Sequence, residues 1–194
     1  MKTPVMVECH PRATSQTFQL RQTGGKTMPL GELRRKDRAL GTTESEELLA
    51  RALVGRLGTV GVDGMPYVVP MNFVYDPRER TVFFHCARSG HRLENLASNP
   101  LACFEVDEPG ALVASGPFPC DTGQVFKSVI CFGRADLVTE PAERERVLRL
   151  FTVKYVDRLT PDRRYEPDMP SANSVAIIAL HVERMTGKQR RATF

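Results

Sequence analysis

The sequence predicts a mainly β, α+β protein: six antiparallel strands closed into a barrel, with a few short flanking helices. Three observations carry this. Short runs of apolar and β-branched residues recur along the chain between turn-forming residues. The runs follow one another through short connections, which favours antiparallel pairing. The segments with helical spacing are too few and too short for a doubly wound sheet. A barrel or rolled sheet is then the natural closure, because it removes exposed edges.

Taken in order, residues 1–33 are polar and aperiodic and read as a flexible leader, within which Met28 is a candidate start. RRKDRALGT (34–42) is a basic lead-in. Thr43 and Glu46 have capping-box spacing before a short amphipathic helix, ESEELLARAL. The period then changes to that of strands. VGRLGTVG (54–61) runs into Asp63-Gly64, a hairpin turn signal, and PYVVPMNFVY (66–75) returns. Pro70 cannot donate a ladder hydrogen bond, so it marks an edge, a bulge or a ligand contact. TVFFHC (81–86) completes a meander. SGHRLENLAS (89–98) is a short helix with Ser89 as N-cap, stopped by Asn99-Pro100. LACFEVD (101–107) is the fourth strand, 108–124 a Gly/Pro-bearing loop, and FKSVICFGRADLV (126–138) the fifth strand, bent at Gly133. Pro141 stands at a helix N1 position, and Val147, Leu150, Phe151 and Tyr155 give 141–156 its helical spacing. A polar, Pro-rich loop at 157–172 leads to SVAIIALHVER (174–184), the sixth strand, and a basic tail.

The 194 residues suit one domain with a sizeable core, placed at 34–190, with 191–194 as a tail. The net charge of +4 is scattered along the chain, so it suits an anionic small ligand and gives no concentrated nucleic-acid surface. The five cysteines form no CxxC pair, which predicts neither a disulfide framework nor a zinc ribbon and points to a reducing, cytoplasmic setting. GGK at 24–26 lacks the spacing and context of a phosphate-binding loop. Cys120 and Cys131 have no arguable base beside them and are read as buried or loop thiols. No apolar run is long enough for a transmembrane helix, and no membrane contact is expected.

The order RRKDR, RLGTVGVDGMPYVVPMNFVYD, VFFHCARSGHRLENLASNPLACFEVD, KSVICFGRADLV and ERMTGKQRR resembles the pyridoxamine 5′-phosphate oxidase-like split-barrel family. RRKDR, FHCARSGHRLENL and the closing TGK are most similar to its nitroimidazole-resistance branch. The resemblance spans about 34–190. It implies FMN bound at the interface of a homodimer, each site built from both subunits. It also implies electron transfer to a small electron-poor acceptor such as a nitroheterocycle.

Residue by residue, the resemblance lays Tyr67, Val68, Val69, Pro70, Met71 and Asn72 along the flavin; an isoalloxazine ring needs apolar walls and a few backbone partners. Val68 and Val69 are equally explained as core. His85, Cys86, Ala87, Gly90, His91 and Arg92 lie where a strand turns at a glycine into a helix. A helix N-terminus attracts anions, and arginine can bind a phosphate bidentately. The related oxidases carry an Arg-Lys pair here that holds the FMN phosphate, so the resemblance gives that role to His91-Arg92; exposed basic side chains at a solvated helix start are the alternative. His85 is a candidate active-site residue in the nitroimidazole branch, or a structural strand histidine. A metal site is not expected, since His85 and Cys86 are neighbours on a strand and point to opposite faces. Ser128 occupies a position that reaches the partner's flavin in the oxidases, or is an ordinary strand hydroxyl. Met185, Gly187 and Lys188 match the C-terminal flavin-edge segment, with methionine where an aromatic is common; Lys188 balances ligand charge or is simply solvated. The distal arginine/histidine set of the true vitamin B6 oxidases has no counterpart here, so that activity is not expected. Two other readings compete. One is a haem or deazaflavin carrier of the same fold, with His85 as the first iron ligand to test. The other is a nucleic-acid binder using RRKDR and QRR, disfavoured because those stretches are short and lack interleaved aromatics.

Overall fold

The computed structural model describes residues 31–114, 116–118, 121–156 and 174–191. The leader to residue 30, GGK, Met28, Cys9, Cys120, the 157–172 loop and residues 192–194 fall outside these. Among these residues eight strands form one antiparallel sheet: β1 (Ala39–Leu40), β2 (Val54–Val60), β3 (Pro66–Asn72), β4 (Val74–Asp76), β5 (Thr81–Ala87), β6 (Leu101–Ala114), β7 (Thr122–Leu137) and β8 (Val175–Arg190). The order across the sheet is β3-β2-β6-β7-β8-β5-β4, with β1 paired to β8. The sheet curls without closing, so the barrel is split. Among the described residues three α-helices flank it, α1 (Thr42–Arg51), α2 (His91–Ser98) and α3 (Pro141–Phe151), the last continued by a π turn over Thr152–Val156.

The strand count exceeds the expected six for two reasons. The run 66–75 breaks at Phe73 into β3 and β4, and Ala39–Leu40 adds a short pair to β8. The helix starts also shift. Gly41, not Thr43, caps α1, and the Glu44 carboxylate accepts from the Gly41 N–H at 3.4 Å. Gly90, not Ser89, caps α2; its φ of 133° lies in the region that favours glycine. Gly133 sits at a register shift between β7 and β8, where a Cβ would lie 1.8 Å from the His181 carbonyl oxygen. Pro70 is on β3, which pairs only with β2, so its missing N–H breaks no ladder on the free side.

Alternation along β5 builds two cores. Val82, Phe84 and Cys86 point into the barrel, where Leu57, Phe73, Phe104, Val106, Ile178 and Leu180 join them. Phe83 points the other way and packs with Val147, Phe151, Val74 and Ile177 beneath α3. Tyr155 of the π turn ties this side down: its hydroxyl accepts from the Phe73 N–H at 2.9 Å and lies 2.7 Å from the Leu53 carbonyl.

Arg146 of α3 clamps the β4–β5 turn. It donates to Asp76 at 2.6 Å and Glu79 at 2.9 Å, and sits 5.5 Å from the centre of the Phe83 ring. Burial pushes the Asp76 carboxyl up, but Arg146 and the Arg78 N–H outweigh it and hold the pKa below the usual range. A carboxyl lowered in the folded state adds stability above its unfolded pKa and loses it as pH falls through the folded one. Asp76→Asn is therefore expected to cost on the order of 1 kcal/mol at pH 7, discounted for the partly exposed Arg146. Below about pH 4 the difference should shrink. Urea unfolding across pH checks this; a difference constant with pH would show that the Asp76 charge contributes nothing.

Candidate functional site

The site is built where α2 meets the edge strand β3. Asn95, buried on α2, donates to the buried Thr59 hydroxyl on β2 at 3.0 Å and docks the helix on the sheet. Thr59 pairs across the ladder with Tyr67, so this one contact aligns the start of α2 with β3. The His91 ring then stands edge-on to Tyr67 with centroids 4.7 Å apart. Arg92 Nη1 rests 3.2 Å from the Met71 sulfur. A thioether is a weak acceptor for a guanidinium. The N–H groups of Leu93 and Glu94 both donate to the Gly90 carbonyl, at 2.9 and 3.2 Å, which leaves those of His91 and Arg92 without an intrahelical partner at the helix start. Beside this cationic end, β3 exposes Val68 at 63% and Tyr67 at 36%.

Of the residues singled out in the sequence, Tyr67, Met71, Gly90, His91 and Arg92 come together here. Cys86 is close enough to feel the Arg92 charge, but its side chain is buried in the barrel core, and burial pushes its thiol up despite Arg92. Val69 packs against the same core, and Pro70 is exposed on β3. Asn72 donates to the Leu53 carbonyl at 3.1 Å. Ala87 ends β5 at an exposed position, paired with Val175.

His85 is placed elsewhere. It alternates with Cys86 on β5 and packs edge-on to Phe151 at 4.6 Å, toward α3. One edge of His85 stays exposed, but the packing desolvates the ring, which lowers its pKa and favours the neutral form.

Ser128 and Lys188 stand directly opposite each other on β7 and β8, half-buried on the outer sheet face. Asp107, the β6 partner of Ser128, is ion-paired with Arg56. Gly187 and Met185 face inward instead. Met185 packs on the barrel core, and a Cβ at 187 would lie 2.2 Å from Ser45 Oγ of α1. Cys131, deep in that core, has its thiol pushed up to about 12 by burial, so it stays protonated. Sequence reasoning missed the Thr59–Asn95 pair and the Arg56–Asp107 bridge. Nothing local signals either, because a polar residue in a strand or helix reads as solvated until its partner is known.

The family model for pyridoxamine 5′-phosphate oxidase matches residues 42–189. Among solved structures, a candidate 5-nitroimidazole antibiotic resistance protein from Bacteroides thetaiotaomicron superposes with TM-score 0.65 at 24% identity, covering 77% of this chain and 84% of its own. A flavocytochrome from Azotobacter vinelandii gives 0.69 at 22%, with 83% and 73% covered. An FAD-binding protein from Mesorhizobium loti gives 0.56 at 23%, with 79% and 98% covered. At these identities the likeness is one of fold. Among curated proteins none matches the chain. No helix among the described residues is long and apolar enough to cross a membrane. The match over 42–189, together with the split barrel that carries it, places the chain in the pyridoxamine 5′-phosphate oxidase family.

Proposed function

We propose that this chain is an FMN-binding flavoprotein that reduces small electron-poor substrates, nearest in kind to the nitroimidazole-resistance branch. The observation that carries the reading is the docking of the α2 N-terminus, with His91 and Arg92, onto the exposed apolar strand β3. Arg92, held only by a thioether among the described residues, would exchange that contact for a phosphate. Tyr67, which faces the α2 side of β3 beside His91, would wall one side of the ring and exclude water from it. FMN bound there would supply the redox chemistry, which no side chain provides. His85, turned toward α3, is proposed as a positioning residue of that face rather than part of the flavin cradle.

The proposed assembly is a homodimer with shared sites. Within one chain Ser128 stands three strands from β3, roughly 14 Å at about 4.8 Å per strand spacing. A second copy seated on the outer face of β7 and β8 would bring Ser128 and Lys188 to a flavin held by β3 and α2. Sedimentation velocity recorded in the visible range tests both parts at once. A boundary with the twin absorption bands of oxidised flavin and the mass of a dimer is expected. Colour in a monomer boundary would remove the shared site. A Soret band would replace flavin by haem. A colourless protein that stays so with added FMN would sink the flavoprotein reading.

A further inference from the structure

We propose that the cleft between the basic lead-in and the C-terminal end of β8 is a binding site for a small molecule bearing a diphosphate. The site does not depend on the flavin reading. The cleft holds about 550 Å³, with Arg35, Asp37 and Arg38 on one wall and Gln189, Arg190 and Arg191 on the other. Such a volume suits a small ligand.

Its one carboxylate is already matched. Arg35 grips Asp37 through Nε at 2.8 Å and Nη2 at 2.6 Å, and this hydrogen bonding holds the Asp37 pKa down to about 2. Arg38, Arg190 and Arg191 are left in surplus. Among the described residues none of the three has a carboxylate within ion-pair distance. Gathering three arginines around one cleft costs repulsion that an anion removes. Their planar forks suit the paired oxygens of phosphoryl groups better than single-point acceptors do.

The walls are joined rather than merely adjacent. Gln189 is buried; its amide donates to the Ala39 carbonyl at 3.3 Å, and its oxygen accepts from Arg191 Nε at 3.1 Å. That bridge ties the lead-in to β8 and aims Arg191. The Arg190 guanidinium lies across Gly123, where a Cβ would fall 1.4 Å from Nη1, so the bare backbone there leaves the space this arginine occupies. With Arg191 aimed by Gln189, Arg38 on the facing wall and Arg190 adding its charge from beside Gly123, the cleft carries the charge to hold two linked phosphoryl groups. A nucleic-acid strand would call for charge extended beyond one cleft and for aromatic platforms, neither of which lines it.

Calorimetric titration of the full chain with inorganic pyrophosphate, at fixed ionic strength, tests the site. Saturable binding is expected. It should weaken at least tenfold in the double variant Arg38→Ala/Arg191→Ala and stay within twofold in Arg34→Ala, which removes a like charge from outside the cleft. An unchanged double variant, or an equal loss in Arg34→Ala, would overturn the proposal. A loss in Arg92→Ala instead would move the anion to the α2 site. Tighter binding of a single-stranded oligonucleotide, abolished by the same double variant, would replace the small ligand by an extended polyanion.

Discussion

Arg92→Glu is expected to weaken FMN binding by about 100-fold or more while leaving riboflavin within about threefold. The two ligands share the ring and the ribityl chain and differ in the phosphate, so their ratio isolates what Arg92 contributes. A hydrogen bond to a charged partner contributes roughly 1.5–3 kcal/mol. Reversing the charge adds repulsion from a carboxylate at the mouth of a helix whose N-terminal dipole is left to attract the phosphate alone. A total of about 3 kcal/mol corresponds to roughly two decades in affinity. Arg92→Gln removes the charge without reversing it and should fall between, near tenfold. The side chain is partly buried and its one described partner is the Met71 sulfur, so the fold has little to lose from either change. Fluorescence titration with both ligands gives the ratio. Equal losses for FMN and riboflavin would show that Arg92 does not read the phosphate.

Much of this site was legible because glycine and proline punctuate it. Pro70 marked an edge, a bulge or a ligand contact, and β3 is an edge strand. Gly133 marked a bend, and a register shift is there, forced by the close approach of the His181 carbonyl. The strand–glycine–helix pattern around Gly90 placed His91 and Arg92 at a helix start within one residue.

What escaped was structure made by distant pairing. Residues 108–114 and 122–124 fell in the Gly/Pro-bearing loop reading, yet β6 and β7 continue through them as a two-stranded ribbon. β2 pairs with β6 only from Cys103 to Glu105, so Pro109 has β7 on one side and no ladder to break on the other. TGKQRR read as a tail because its residues are polar. In β8 they alternate: Gly187 and Gln189 turn inward and are buried, while Lys188 and Arg190 stay half-exposed. Gln189 can be buried because Ala39 and Arg191 satisfy its amide. The two faces of β5 were also legible in principle. Period-two alternation separates His85 from Cys86, but only the position of Phe151 shows which face His85 shares with a helix.

The barrel interior sets a limit on where any ligand can go, and Phe104→Ala measures it. Phe104 is fully buried at the centre of the split barrel, edge-on to Phe73 at 4.6 Å and to Phe84 at 5.0 Å. Its ring lies so close to β2 that a Cβ on Gly55 would fall 2.1 Å from Cζ. β2 thus carries glycine where the Phe104 ring lies against its backbone, as close packing requires. A ring held from three sides cannot be replaced by relaxation of its neighbours, so truncation leaves a cavity as well as losing transfer energy. The expected cost is about 3–5 kcal/mol in urea unfolding. A filled interior leaves the exposed start of β3 at Tyr67 and the mouth at α2 for the flavin. FMN affinity measured on the folded fraction, at low temperature without denaturant, should therefore stay within about twofold of the native chain. A cost under about 1 kcal/mol would show a loosely packed barrel. A large loss of FMN affinity with the fold intact would mean that the ring reaches inward past Met71, and the cradle would have to be redrawn around Phe104 instead of β3.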